Sequence, residues 1–245
     1  MKTADWFHGR RVLVTGHTGF KGAWLAAWLR DSGADVTGYA LPPEAGRPSL
    51  FEMGRVEEGM RSVLGDVRDR AALAATLAES RPEIVLHLAA QSLVRRSYAE
   101  PLETLATNVL GTANLLEAVR GLESVKAVVV VTSDKCYENQ GLERGYVESD
   151  PMGGHDPYSA SKGCQEIVTA SYRRSFLAEQ GIPVATARAG NVIGGGDWSE
   201  DRLMVDLMMA AGADRPATIR NPEAVRPWQF MLEPLRGYLM LAQAL

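Results

Sequence analysis

The sequence predicts an α/β fold: a doubly wound parallel sheet followed by a smaller C-terminal region. Three observations predict it. Short apolar runs alternate with helix-like stretches over residues 11–187, a glycine-rich turn joins the first run to the first helix, and beyond Gly190 the alternation breaks down. Alternation of this kind means βαβ crossovers, which are right-handed and set parallel strands side by side.

Taken in order, Arg11–Thr15 reads as a buried strand running into Gly16, and residues 21–32 carry apolar side chains at helical spacing up to Gly33. Residues 35–39 read as the second strand, Arg61–Leu64 as a short third, 70–78 as an Ala/Leu helix ahead of Pro82, and 83–88 as the fourth strand. Residues 101–120 read as one helix with several apolar faces. The fully apolar run 126–131 suits a strand in a parallel sheet covered on both sides. Residues 157–176 read as a further helix, with Asp156 as N-cap and Pro157 at the first position, where its missing N–H does no harm. Val184–Ala187 closes the series. Residues 1–190 therefore read as a cofactor-binding domain that also carries the reactive residues. Residues 191–245, interrupted by Gly194-Gly195-Gly196, Pro216, Pro222, Pro227 and Pro234, read as the start of a substrate-binding region, with Trp198 and Trp228 assigned to core packing.

Composition narrows the function classes. With 26 Lys and Arg against 30 Asp and Glu, the net charge of −4 argues against broad binding to nucleic acid or an anionic membrane. Cys136 and Cys164 form no CxxC, and His8, His17, His87 and His155 stand at no paired zinc spacing, so neither a disulfide scaffold nor a metal site is expected. The first ten residues lack an apolar signal core and no apolar run approaches the roughly 20 residues of a bilayer span. The expected location is the cytoplasm.

In Thr15-Gly16-His17-Thr18-Gly19-Phe20-Lys21-Gly22 the glycines recur every third residue between a strand and a helix. Gly16 permits the tight turn, Gly19 admits a pyrophosphate to the backbone, Gly22 lets helix and strand pack closely, and the N–H groups at the helix start hold the anion. Thr18, Phe20 and Ala89 are grouped with this dinucleotide site. The acidic residue expected about 20 positions on, to bind the ribose, is missing from Thr37-Gly38-Tyr39-Ala40, so NAD and NADP are not distinguished there. Asp66 and Val67, after the third strand, are candidate adenine contacts, with a helix cap as the alternative for Asp66.

Tyr158 and Lys162 stand at i and i+4 on one helix face. A neighbouring ammonium favours the phenolate, which can take a hydroxyl proton while hydride leaves the same carbon. Ser133, directly after the fifth strand, lies at the carboxyl edge of the sheet where ligands of open α/β folds bind, and can hydrogen-bond the same hydroxyl.

These motifs resemble the extended short-chain dehydrogenase/reductase superfamily. Ser133-Asp134-Lys135-Cys136-Tyr137, Gly194-Gly195-Gly196-Asp197-Trp198, Arg188-Ala189-Gly190-Asn191 and Ile219-Arg220-Asn221-Pro222 are similar, more narrowly, to the CDP-glucose 4,6-dehydratase family. The resemblance spans essentially the whole chain. It implies bound NAD, a CDP-glucose or related nucleotide-sugar substrate, and a homodimer built from the helices at 101–120 and 157–176. It implies that Tyr158, aided by Ser133 and Lys162, deprotonates the C4 hydroxyl, that Lys135 removes the C5 proton or only orients Asp134, and that Asp134 protonates the departing C6 hydroxyl. Related dTDP-glucose dehydratases carry Asp-Glu at Asp134-Lys135. Arg226 is the first candidate for the substrate diphosphate, with Asn191 as a polar contact and Arg202 and Arg220 as second choices.

Two departures from the family stand out. Trp228-Gln229-Phe230-Met231 replaces an expected Trp-Gln-His-Val, and the chain stops at Leu245 whereas the family continues through more of a substrate-binding subdomain. Two alternatives follow: a sugar-nucleotide 4-epimerase or reductase on the same scaffold, or an NAD-binding scaffold without turnover.

Overall fold

A computed structural model describes residues 3–245. In chain order the elements are α1 (Thr3–Trp6), β1 (Arg11–Thr15), α2 (Phe20–Asp31), β2 (Asp35–Ala40), α3 (Leu50–Met53), β3 (Arg61–Leu64), α4 (Arg70–Ser80), β4 (Ile84–His87), α5 (Val94–Ala99), α6 (Pro101–Leu105), α7 (Gly111–Val119), β5 (Ala127–Val131), α8 (Pro157–Tyr172), β6 (Val184–Ala187), β7 (Asn191–Ile193), α9 (Leu203–Gly212), β8 (Trp228–Phe230) and α10 (Leu232–Ala244).

Six strands form one parallel sheet in the order β3-β2-β1-β4-β5-β6. The order reverses between β1 and β4, and in such sheets the crevice beyond the carboxyl ends at that point receives the ligand. Helices cover both faces. On one, Leu25, Ala26 and Leu29 of α2 pack with Val12 and Val14 of β1, and with Leu235, Tyr238 and Leu239 of α10. On the other, Leu73 and Leu77 of α4 and Leu115, Leu116 and Val119 of α7 pack on Leu13, Val85, Val128 and Val130. Alternate residues of β1 and β5 thus serve opposite cores, which explains why both read as unbroken apolar runs.

The six main strands fall where the sequence puts them, but each of the two long helices is interrupted. Between α6 and α7 the chain makes a π turn at Ala106–Leu110, and α8 passes into another at Arg173–Leu177. The Asp156 carboxylate accepts from the Ser159 amide at 2.9 Å and Pro157 opens α8, as expected of the cap. Asp66 does not cap α4. Asp69 does, accepting from Ala71 and Ala72, because the Asp66 carboxylate is turned onto the amide and guanidinium of Arg68.

Beyond Gly190 the chain leaves the main sheet. β7 and β8 form a separate two-stranded parallel ribbon, with Asn191 beside Trp228 and Ile193 beside Phe230. α10, counted with the 191–245 region by sequence, returns to the main sheet, and Met231 at its start is fully buried in the same core as β1. Trp198 and Trp228 are not core residues: both are over a third exposed and line the cleft described next. Among the described residues no helix is long and apolar enough to cross a membrane.

Candidate active site

The carboxyl ends of β1, β4, β5 and β6 open into a cleft of about 1090 Å³, whose outer wall is the β7–β8 ribbon with α9. Every residue singled out above for the cofactor, the chemistry or the substrate lines this cleft.

At the inner end lies the glycine turn. Gly16 has φ +79°, a left-handed conformation that suits glycine, and a Cβ there would stand 2.8 Å from the Ala89 amide nitrogen at the end of β4. A Cβ on Gly22 would run into the backbone of Gly16, so α2 is seated directly on the turn. α2 starts at Gly19 without a side-chain cap, and Phe20 and Lys21 of its first turn face the cleft. Thr18 donates from Oγ1 to the Leu41 carbonyl at 2.8 Å, tying the turn to the end of β2. There the Tyr39 side chain is buried and donates to the Asp66 carbonyl at 3.0 Å, so the cleft meets Ala40 and Leu41 where an acidic ribose ligand would otherwise stand. Asp66 and Val67 close this end. Arg68 holds the Asp66 carboxyl below its ordinary range, burial opposing.

The middle of the cleft is formed by α8 and the segment after β5. Tyr158 and Lys162 are both buried, with Lys162 Nζ 6.0 Å from the Tyr158 ring centroid and donating to the Val131 carbonyl at 3.4 Å. Burial, and then the nearby Lys21 ammonium, pull the Lys162 pKa down to about 7, with Glu166 opposing. Burial pushes the Tyr158 phenol up, while the neighbouring Ser133 hydroxyl and the Arg202 charge pull it back. After β5, Ser133 donates to Asp134 Oδ1 at 2.9 Å and accepts from the Lys135 amide, capping a short 3₁₀ turn, Asp134–Cys136, that sets Asp134 and Lys135 half-buried on the cleft. Five side chains suited to proton transfer thus share one wall.

The outer wall carries the arginines. Arg202 pairs with Asp197 at 3.1 Å, and Arg220 pairs with Asp201 and, at 3.0 Å, with Asp206. The guanidinium of Arg226 donates at 2.8 Å to the Val225 carbonyl and has no carboxylate partner among the described residues. Asn191 is half-buried at the foot of this wall, its amide on the Pro227 carbonyl at 3.1 Å. Phe230, standing where an imidazole is expected, is half exposed to the cleft.

Lys21 is the functional candidate that the sequence reading passes over. Burial and Arg202 lower its pKa to about 8, against the pull of Asp134 and Asp197, so it stands among the charged groups of both walls. The signal available was the Phe-Lys step inside the glycine turn, where an ammonium is an unusual choice at a packed helix start.

The GDP-mannose 4,6 dehydratase family model matches residues 13–244. The chain belongs to the GDP-mannose 4,6 dehydratase family. Within the reach of this dehydratase family, a CDP-glucose 4,6-dehydratase of Salmonella typhimurium is 52% identical over 98% of this chain and 68% of its own length. A solved dTDP-glucose 4,6-dehydratase double mutant of Streptomyces venezuelae, with NAD bound, superposes at a TM-score of 0.82 over 94% of this chain and 71% of that one, with 27% identity. An epimerase of Methanothermobacter thermautotrophicus is similar at a TM-score of 0.84, 26% identity, 99% and 70% coverage. A dehydratase and an epimerase thus share this chain's scaffold, so the choice between the two activities falls to the residues on the cleft.

Proposed function

We infer that this chain is a CDP-glucose 4,6-dehydratase, an NAD-dependent hydro-lyase that converts CDP-glucose to CDP-4-keto-6-deoxyglucose and water. The identity to the Salmonella typhimurium enzyme supports the substrate. The observation that carries the reaction is the Asp134-Lys135 turn set beside Tyr158 and Lys162 in one cleft. A 4-epimerase needs the Tyr/Lys pair alone.

The cleft suits a dinucleotide: the glycine cradle would be filled by a Cβ at Gly16 or Gly22, and α2 offers uncapped first-turn amides. Gly16, Thr18, Gly19, Phe20, Gly22 and Ala89 would hold its pyrophosphate end, Asp66 and Val67 its adenosine end, and Tyr158 and Lys162 its reactive end. NAD, when bound, supplies the hydride acceptor for C4 and the donor for C6. Tyr158, with Lys162 beside it and Ser133 sharing the hydroxyl, takes the C4 hydroxyl proton. The C4 ketone makes the C5 proton acidic, Lys135 as the neutral amine removes it, and Asp134 protonates the C6 oxygen as the C6–O bond breaks and water leaves. C5 then takes a proton back from the Lys135 ammonium or solvent as C6 gains hydride. Arg226, with Arg202 and Arg220, faces the substrate diphosphate, and Asn191 contacts the sugar.

Incubated with NAD and CDP-glucose in deuterated water, the protein yields a 4-keto-6-deoxy product carrying deuterium at C5. An inverted C4 with an intact C6 hydroxyl selects the epimerase, and cofactor binding without turnover of any nucleotide sugar selects the inactive scaffold. The cytoplasm, which holds the nucleotide sugars, is the proposed location. Leu102, Leu110 and Ile167, all more than half exposed on the α6–α7 and α8 helices, support pairing of two copies through those helices. A monomer in sedimentation at micromolar concentration rejects that pairing.

A further inference from the structure

Glu166 lies one turn beyond Lys162 on α8 and does not line the cleft, yet its carboxylate is buried and completely used. Oε1 accepts from Thr132 Oγ1 at 2.5 Å and from Arg188 Nε at 2.8 Å, and Oε2 accepts from Thr186 Oγ1 at 2.6 Å and Arg188 Nη2 at 3.0 Å. Both charges are withdrawn from water, with side-chain exposures of 7% for Glu166 and 16% for Arg188. Such a pair adds little net stability compared with apolar packing of the same volume, because desolvation offsets its attraction. Its value lies in what it fixes in place.

Arg188 also donates from Nη1 to Tyr137 Oη at 2.5 Å, its guanidinium 4.7 Å from that ring centroid, and Tyr146 stacks on Tyr137 with centroids 4.9 Å apart. Thr132 immediately precedes Ser133, and Tyr137 immediately follows the turn Asp134–Cys136. The ion pair therefore grips the chain on both sides of the three residues that present Asp134 and Lys135, and joins them to the helix that carries Tyr158 and Lys162.

We propose that Glu166 and Arg188 form a positioning clamp for the dehydration half of the reaction, registering Asp134 and Lys135 against Tyr158 and Lys162 by holding Thr132 at one end of the turn and Tyr137 at the other. The proposal rests on the dehydratase reading for its chemistry and on the hydrogen bonds for its mechanics. Ser133 sits at the Thr132 end, next to the β5 ladder, whereas Asp134 and Lys135 depend also on the Tyr137 end. Loosening Tyr137 therefore slows elimination more than C4 oxidation.

The test uses the NAD-loaded full chain with Tyr137→Phe, which removes the hydroxyl gripped by Arg188 and leaves the buried pair whole, and with Arg188→Lys, which keeps the charge but loses the fork. Acid-quenched single turnovers with CDP-glucose, read by mass, separate the oxidised 4-keto sugar from the dehydrated product. Tyr137→Phe slows dehydration about tenfold and C4 oxidation by less than about threefold, the scale of a misplaced reacting group, so the 4-keto-6-hydroxy sugar accumulates. Arg188→Lys does the same more strongly. Hydrogen exchange of the Tyr137→Phe chain shows residues 133–137 opening about tenfold faster while β1 and α2 are unchanged. Equal slowing of both chemical steps, or unchanged exchange at 133–137, overturns the clamp. If the wild-type chain turns over no nucleotide sugar, the dehydratase reading falls and the exchange result alone decides the clamp, faster exchange upholding it and unchanged exchange rejecting it.

Discussion

His87, at the end of β4, shows how single side chains fix the floor of the cleft. The one hydroxyl proton of Thr112 goes to the Asn108 carbonyl at 2.7 Å, so in its 3.0 Å contact with Thr112 the donor is His87 Nε2. His87 Nδ1 then accepts from Thr15 Oγ1 at 2.7 Å, and that oxygen already accepts the Leu88 and Ala89 amides. A second proton on the imidazole has no acceptor waiting. Burial, and then the Lys162 charge, lower its pKa from 6.5 to about 3, and burial lowers that of His17 to about 4. The unfolded chain binds more protons than the folded one across that window, so stability is full above pH 6.5 and is lost as pH falls towards 3. His87→Gln gives a melting temperature that changes less with pH between 6.5 and 4 than wild type, as calorimetry at fixed ionic strength would record. Tyr158→Phe, which removes the proposed base and keeps the ring, lowers kcat about 100-fold or more while NAD binding by calorimetry is retained. An undiminished rate removes Tyr158 from the chemistry. The pattern Tyr158-x-x-x-Lys162 was legible in the sequence because helical spacing alone puts both on one face, whereas the role of Glu166 was not, since its partners come from β5 and β6.

At the scale of elements, the π turn between α6 and α7 interrupts what the sequence predicts as one continuous helix. Residues 101–120 have uninterrupted helical periodicity, and periodicity does not register one extra residue in a turn. Tertiary bonds account for it: Asn108 accepts the Gln91 amide at 2.8 Å, donates to the Gln91 carbonyl at 3.0 Å, and donates to Ser161 Oγ at 2.8 Å. The turn thus anchors the loop after β4 to α8, next to Lys162. Asn108→Ala leaves these buried groups unpaired and destabilises the fold by about 1–3 kcal/mol in urea unfolding. Most strands were legible because they hold a compact apolar run, with glycine or proline close by at β1, β2, β3, β4 and β6. The short α3 and α5 were not, since a four- to six-residue helix carries too little pattern to stand out.

For the whole molecule, charge is arranged across the cleft rather than over the surface. The net charge of −4 excludes a general attraction for anions, yet seven basic side chains, Lys21, Arg95, Lys135, Lys162, Arg202, Arg220 and Arg226, line one opening. Of the four arginines, Arg95, Arg202 and Arg220 already answer carboxylates, and Arg226 alone has none among the described residues. Arg226→Ala raises KM for CDP-glucose about tenfold with kcat nearly unchanged in steady-state assays. Equal KM values for the two proteins remove Arg226 from the diphosphate site. Which arginine stands unpaired was beyond the sequence, because Asp197, Asp201 and Asp206 offer several partners and only the folded wall selects among them.

The outer wall leaves and rejoins the main sheet at one place. Asn191 lies beside Trp228 in the ribbon, and a Cβ on Gly190 would stand 2.8 Å from the Pro227 carbonyl, so the two ends of the 191–227 excursion are a single strand spacing apart. α10 then locks the following chain into the central core. The excursion is in effect a cassette plugged in at one point and latched to the reaction chamber by Trp24 on the Gly195 carbonyl and Arg95 on Asp201, so a relative's excursion fits this chamber only where it brings partners for those latches.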